Sequence, residues 1–156
     1  MPFDERRRVT REFEWLEVSQ FKKMNNNREY IYSFPNTSCT LAIIEHLRRK
    51  HQSHLNSVAV INSIDCWLVK LNFKSSIPYR REKNLQAVLN EMGSVSYPSL
   101  KILKALNSLE RGESPIEVMN RYQVVIVAHG KPETEEIKIF RDRIVERLGY
   151  CPQNMA

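Results

Sequence analysis

Tyr122-Gln-Val-Val-Ile-Val-Ala128, then His129-Gly-Lys-Pro132, then Glu133-Thr-Glu-Glu-Ile137 and on to Gly149, reads as a strand, a short connection and a helix. The β-branched run from Tyr122 to Ala128 has the continuous apolar character of a strand buried on both faces. Pro132 suits the first position of a helix, and Glu133, Glu135 and Glu136 place negative charge at its positive end. Ile137, Phe140, Ile144 and Leu148 recur on one face. Gly149 supplies a left-handed stop, and Pro152 prevents resumption.

Working back towards the N-terminus, Ser114-Pro-Ile-Glu117 is a capping box that opens a short helix to about Asn120. A helix over Pro98–Arg111 turns Leu100, Leu103, Leu106 and Leu109 inward and stops at Gly112. Another over about Arg81–Met92 turns Leu85, Val88, Leu89 and Met92 inward and stops at Gly93. Residues 57–74 read as two strands joined by a turn at Ser63–Cys66. In the first, Val58 and Val60 alternate with Ala59 and Ile61, so both faces are apolar. In the second, Trp67, Val69, Leu71 and Phe73 form a core face, while Lys70, Asn72 and Lys74 form a basic face expected in water.

Thr37 or Ser38 caps a helix through His51 with Leu41, Ile44 and Leu47 inward, preceded by a strand carrying Tyr30, Tyr32 and Phe34. In residues 9–21, Phe13 and Trp15 fit a strand face while Val9, Phe13 and Leu16 fit a helix, and the expected element is a strand paired with 29–34. The expected order is β-β-α-β-β-α-α-α-β-α. This is an α+β fold in which a mixed sheet of about five strands has helices on at least one face. At 156 residues the chain fits a single domain, 1–156, with a basic N-terminal arm at 1–10.

Composition narrows the class. Apolar residues make up 42% and charged residues 27%, which suits a globular core and excludes a disordered chain. Cys39, Cys66 and Cys151 are three, an odd number at wide spacing, which favours reduced thiols and an intracellular setting, cytoplasmic or nuclear. The first residues lack the apolar stretch of a signal peptide. The longest apolar run, Val124–Ala128, falls far short of the ~20 residues of a membrane span.

Net charge is +6 and is unevenly placed. The segment Lys70–Lys83 alone holds five cations (Lys70, Lys74, Arg80, Arg81, Lys83) against Glu82. Arg48, Arg49 and Lys50 form a second basic run, and Arg6, Arg7 and Arg8 a third, whereas residues 131–147 are balanced. Guanidinium groups suit phosphate oxygens, and an exposed Tyr79 beside them suits stacking on an unpaired base. The expected nucleic-acid-binding residues are therefore Arg48, Arg49, Lys70, Lys74, Tyr79, Arg80, Arg81 and Lys83, with Arg6, Arg7 and Arg8 as an arm. RNA or a nucleoprotein is the expected partner, since the sequence has no recognition-helix motif for duplex DNA. The bland alternative is a solvated surface.

Other constellations carry less. His129, Gly130 and Lys131 sit at a strand-to-helix junction where an anion can bind, but the P-loop pattern is missing and three glutamates follow. A small enzyme acting on a phosphorylated ligand there is one alternative reading. Cys39, His46, His51 and His54 do not have zinc-ligand spacing, so no metal is expected. Cys66 or Cys151 with His129 lacks an orienting third group, and no cofactor is implied. The Tyr30/Tyr32/Phe34 stripe fits core better than a stacking platform. The remaining alternative is a protein-interaction or self-assembly module, an adaptor or viral matrix-type protein, using residues 9–21.

Overall fold

The computed structural model describes residues 28–156. Its strands are β1 (Arg28–Phe34), β2 (Leu55–Asn62), β3 (Trp67–Phe73), β4 (Ser94–Val95) and β5 (Val125–Gly130). Its helices are α1 (Thr37–Lys50), α2 (Tyr79–Met92), α3 (Leu100–Glu110), α4 (Pro115–Tyr122) and α5 (Thr134–Leu148). The strands form one sheet in the order β4-β1-β3-β2-β5.

The first six elements, β1-α1-β2-β3-α2-β4, make a split β-α-β arrangement, and the later elements add β5 beside β2. The α+β class read from the sequence holds, but the sheet is antiparallel at every described pairing rather than mixed. The reason is topological. β1 and β2 run the same way, yet β3 lies between them, so the crossover through α1 creates no parallel hydrogen-bonded pair. The expected strand at 9–21 lies outside the described residues.

Local chemistry sets most boundaries. Asn36 caps α1, its side chain accepting from the Cys39 N–H at 2.9 Å, one residue before the Thr37 or Ser38 expected. Ser99 and Ser114 cap α3 and α4 in the same way. Ser63 and Cys66 close the β2–β3 turn with a 2.9 Å backbone bond. Gly149 ends α5 at φ +76, as expected of a left-handed stop. Gly93 ends α2 for a different reason. Its backbone is extended, and an added Cβ would lie 2.4 Å from the Ser33 carbonyl oxygen. Close approach, not handedness, requires glycine there, and that approach creates β4, which the sequence did not predict.

Two cores flank the sheet. On one face Tyr32, Phe34, Val60, Trp67, Val69 and Phe73 pack against α1, α2 and α5. Tyr30, Tyr32 and Phe34 therefore line the core side, where the Tyr32 hydroxyl donates to Asn90 Oδ1 at 2.9 Å. On the other face Ala59, Ile61, Leu68 and Ile126 meet Leu106 and Leu109 of α3 and Val118 of α4. β5 is an edge strand starting at Val125, with Tyr122 still in α4.

The second core corrects the expectation for β3. Its polar side is not in water: Lys70 is 8% and Asn72 5% exposed. The Lys70 Nζ lies 2.8 Å from Glu110 Oε1 and 3.4 Å from Glu29 Oε1, and Asn72 donates to Glu110 at 3.2 Å. Period-two polarity normally marks a solvent face. Here α3 covers that face and brings a carboxylate with it.

A strap closes the opposite end of the molecule. The Asn154 carbonyl accepts from Trp67 Nε1 at 2.9 Å, its amide donates to the Ile64 carbonyl at 3.0 Å, and Met155 is buried in the core.

Candidate nucleic-acid interface

The C-terminus of α1, the end of β3 and the start of α2 meet at one end of the sheet. Two bonds hold them together. Lys74 N–H donates to the His54 carbonyl at 2.8 Å, and the Arg81 guanidinium donates to the Lys50 carbonyl at 3.1 Å. Two basic segments separated in sequence are thereby joined, and Arg48, Arg49, Lys50, Lys74, Arg80, Arg81 and Lys83 are all exposed there. Tyr79 is 71% exposed, with the Lys83 ammonium 5.4 Å from its ring centroid.

Of the nearby carboxylates, one turns away from this surface and one pairs with a single cation on it. Glu82 turns inward, where it accepts from Arg28 and from the Tyr30 hydroxyl. Glu45 is paired with Arg49 at 3.2 Å, one helical turn away. The histidines beneath are shifted chiefly by burial. Burial holds His51 down at about 4, and His46, Arg81, His54 and Lys50 add to the shift. Burial likewise lowers His46, with Lys50 and Arg49 contributing.

The two basic runs differ in what explains them. Arg48, Arg49 and Lys50 occupy the last turn of α1, where cations complement the helix dipole. Folding alone accounts for them. Arg80 and Arg81 occupy the first turn of α2, at the positive end of its dipole. Pro78, the N-cap, contributes no side-chain bond there. Arg81 is used to satisfy an α1 carbonyl, but Arg80 makes no ion pair among the described residues.

Lys70 does not join this surface, because it is buried between strand and helix as described. The junction group also separates. His129 pairs in register with Ala59 and faces the α3 side, where burial lowers its pKa, with Lys70 lowering and Glu110 opposing. Lys131 instead lines a cleft of about 180 Å³ on the other side, with Leu47, Arg48, Leu55, Val58 and Glu133. The start of α5 is occupied by its own chain, since the Glu133 N–H donates to Glu136 Oε1 at 3.1 Å. Gly130, at φ +99, forms part of the cleft wall. The structure thus breaks His129-Gly130-Lys131 into two environments instead of one anion site.

Sequence reading missed that Lys131 and Arg48 share a cleft, because nothing local links residues 48 and 131. His46 and His51 approach with ring centroids 5.3 Å apart, while Cys39 lies at the other end of α1. No three metal-ligating side chains are grouped among the described residues, and no described helix is long and apolar enough to cross a membrane. Arg6, Arg7, Arg8 and residues 9–21 lie outside the described residues.

No family model and no curated protein matches the chain. Among solved structures it is similar to the C-terminal domain of YpbH, at 15% identity and a TM-score of 0.44. That likeness covers 73% of this chain and 99% of the other. It is too loose to carry anything about function.

Proposed function

We propose that the basic end of the domain binds RNA in single-stranded form, with Arg48, Arg49, Lys50, Lys74, Arg80 and Lys83 against phosphates and Tyr79 stacked on a base. One observation carries the reading: Arg80 stands at the positive end of a helix, without an ion pair among the described residues. Its position works against α2 and suits an anion placed over that helix start. The inward turn of Glu82 supports the same reading by removing the segment's carboxylate from the surface. An exposed tyrosine beside the cations favours an unpaired strand over a duplex, because base stacking on an aromatic contributes about 1–3 kcal/mol and needs a free base face.

The test is fluorescence anisotropy with a labelled single-stranded RNA over a salt series. With these six cations on phosphates, the slope of log K against log salt is about −4, at ~0.7 per contact for single strands. Absence of binding at low salt would falsify the reading. Equal affinity for a duplex of the same length removes the role given to Tyr79.

A further inference from the structure

We infer that the cleft between α1 and the β5–α5 junction receives one unstacked base of the bound strand, with Arg48 and Lys131 at its rim on the flanking phosphates. This rests on the RNA-binding reading and specifies where preference for an unpaired strand arises.

The floor is aliphatic: Leu55 is partly exposed there over the buried Ile44, Leu47 and Val58, an apolar lining against which a base edge sheds water. At about 180 Å³ the cleft is smaller than the roughly 300–1,000 Å³ of sites for drug-sized ligands, so it suits one ring system and not a whole cofactor. Gln52 lines it with an amide that both donates and accepts, the pair of functions a base edge needs. Gly130 contributes a wall without a side chain, and a Cβ built there would meet nothing within 4 Å. Two cations against Glu133 give the rim a positive balance.

An apolar side chain flanked by acidic residues is the rival occupant. Continuity of charge favours the nucleotide. Arg48 belongs both to the cleft and to the run Arg48-Arg49-Lys50, which Arg81 ties to the start of α2. Arg48 thus links the cleft to the cations at that end of the sheet, and a phosphodiester chain supplies an anion at every nucleotide.

Methyl NMR of the Ile-, Leu- and Val-labelled chain tests the assignment, by titration with a single-stranded octanucleotide, an RNA duplex, inorganic phosphate and an acidic peptide containing leucine. The expected result is movement of the Ile44, Leu47, Leu55 and Val58 methyls with the single strand, and none with duplex or phosphate. Gln52→Ala combined with Lys131→Ala lowers affinity for the single strand about 5-fold or more, the loss of one base contact, and leaves the duplex unaffected. If the single strand binds and shifts amides near Arg80 while those methyls stay still, the cleft assignment fails and the RNA reading stands. If the peptide alone moves the methyls, the cleft belongs to a protein partner. If no nucleic acid binds, both readings fail.

Discussion

Replacing Arg80 by glutamate makes the fold and the proposed activity respond in opposite directions. Arg80 is exposed in the first turn of α2 and forms no ion pair among the described residues, so the exchange breaks no contact of that kind. At low ionic strength a cation at a helix N-terminus is unfavourable by about 0.3–1 kcal/mol, and a carboxylate there is favourable by a similar amount. Reversal therefore stabilises the native state by about 0.6–2 kcal/mol. For a chain of this length each kcal/mol raises Tm by about 2–4 °C, so a rise of roughly 1–8 °C is expected. The same change deletes one phosphate contact and adds a repulsive charge. RNA affinity falls at low salt, and the salt slope becomes shallower by about 0.7. Thermal melts followed by circular dichroism at low and high salt, with anisotropy on the same samples, read both effects. High salt should erase most of the Tm gain. A Tm that falls or stays fixed at low salt refutes the view that Arg80 opposes α2. A higher Tm with unchanged RNA affinity keeps the dipole argument and removes Arg80 from the binding surface.

Three other outcomes follow from the structure. Lys70→Met removes the ammonium that Glu29 and Glu110 share and destabilises the fold by roughly 1.5–3 kcal/mol in denaturant titration, while the RNA salt slope stays as in the parent chain. Gly93→Ala pushes a Cβ to 2.4 Å from the Ser33 carbonyl and costs about 1–3 kcal/mol, visible as a lower Tm and faster exchange of the amides that join β1 to β4. The His51 contribution to stability should be lost as pH falls from about 6.5 to about 4, because native His51 resists the proton that the unfolded chain accepts. The contribution lost is on the order of 3 kcal/mol, and a His51→Gln chain whose acid limb is just as steep would contradict it.

The helices were legible because apolar periodicity and capping residues act locally. α2 through α5 fall close to their expected spans for that reason. β2 and β3 were legible as strands, but the fate of the polar face of β3 was not. Lys70 and Asn72 alternate with apolar residues just as a solvated edge would, and only Glu29 and Glu110, from remote segments, convert that pattern into a buried network. β4 has two residues, too few for any period, and owes its existence to the absence of a side chain at Gly93. The basic segment at 70–83 was visible as composition. Its union with Arg48–Lys50 required knowing that α1 ends where α2 begins. Lys131 reaching the Arg48 cleft depends on β5 joining the β2 edge, which is a fact of topology.

The central position of β3 also dictates an order of assembly. β2 and β3 are joined by a four-residue turn and can pair as soon as both exist, within microseconds by the ordinary rate of hairpin formation. Among the described residues β1 has no such neighbour in sequence, since its long partner is β3 and Arg28 must wait for Phe73. During synthesis the segment from β1 through α1 therefore emerges before β3, its long partner among the described residues. The β2–β3 hairpin is the seed, β1 and β5 are added to its two edges, and β4 joins after β1 is in place. Substitutions in the hairpin such as Val60→Ala should slow folding, whereas Gly93→Ala should chiefly hasten unfolding.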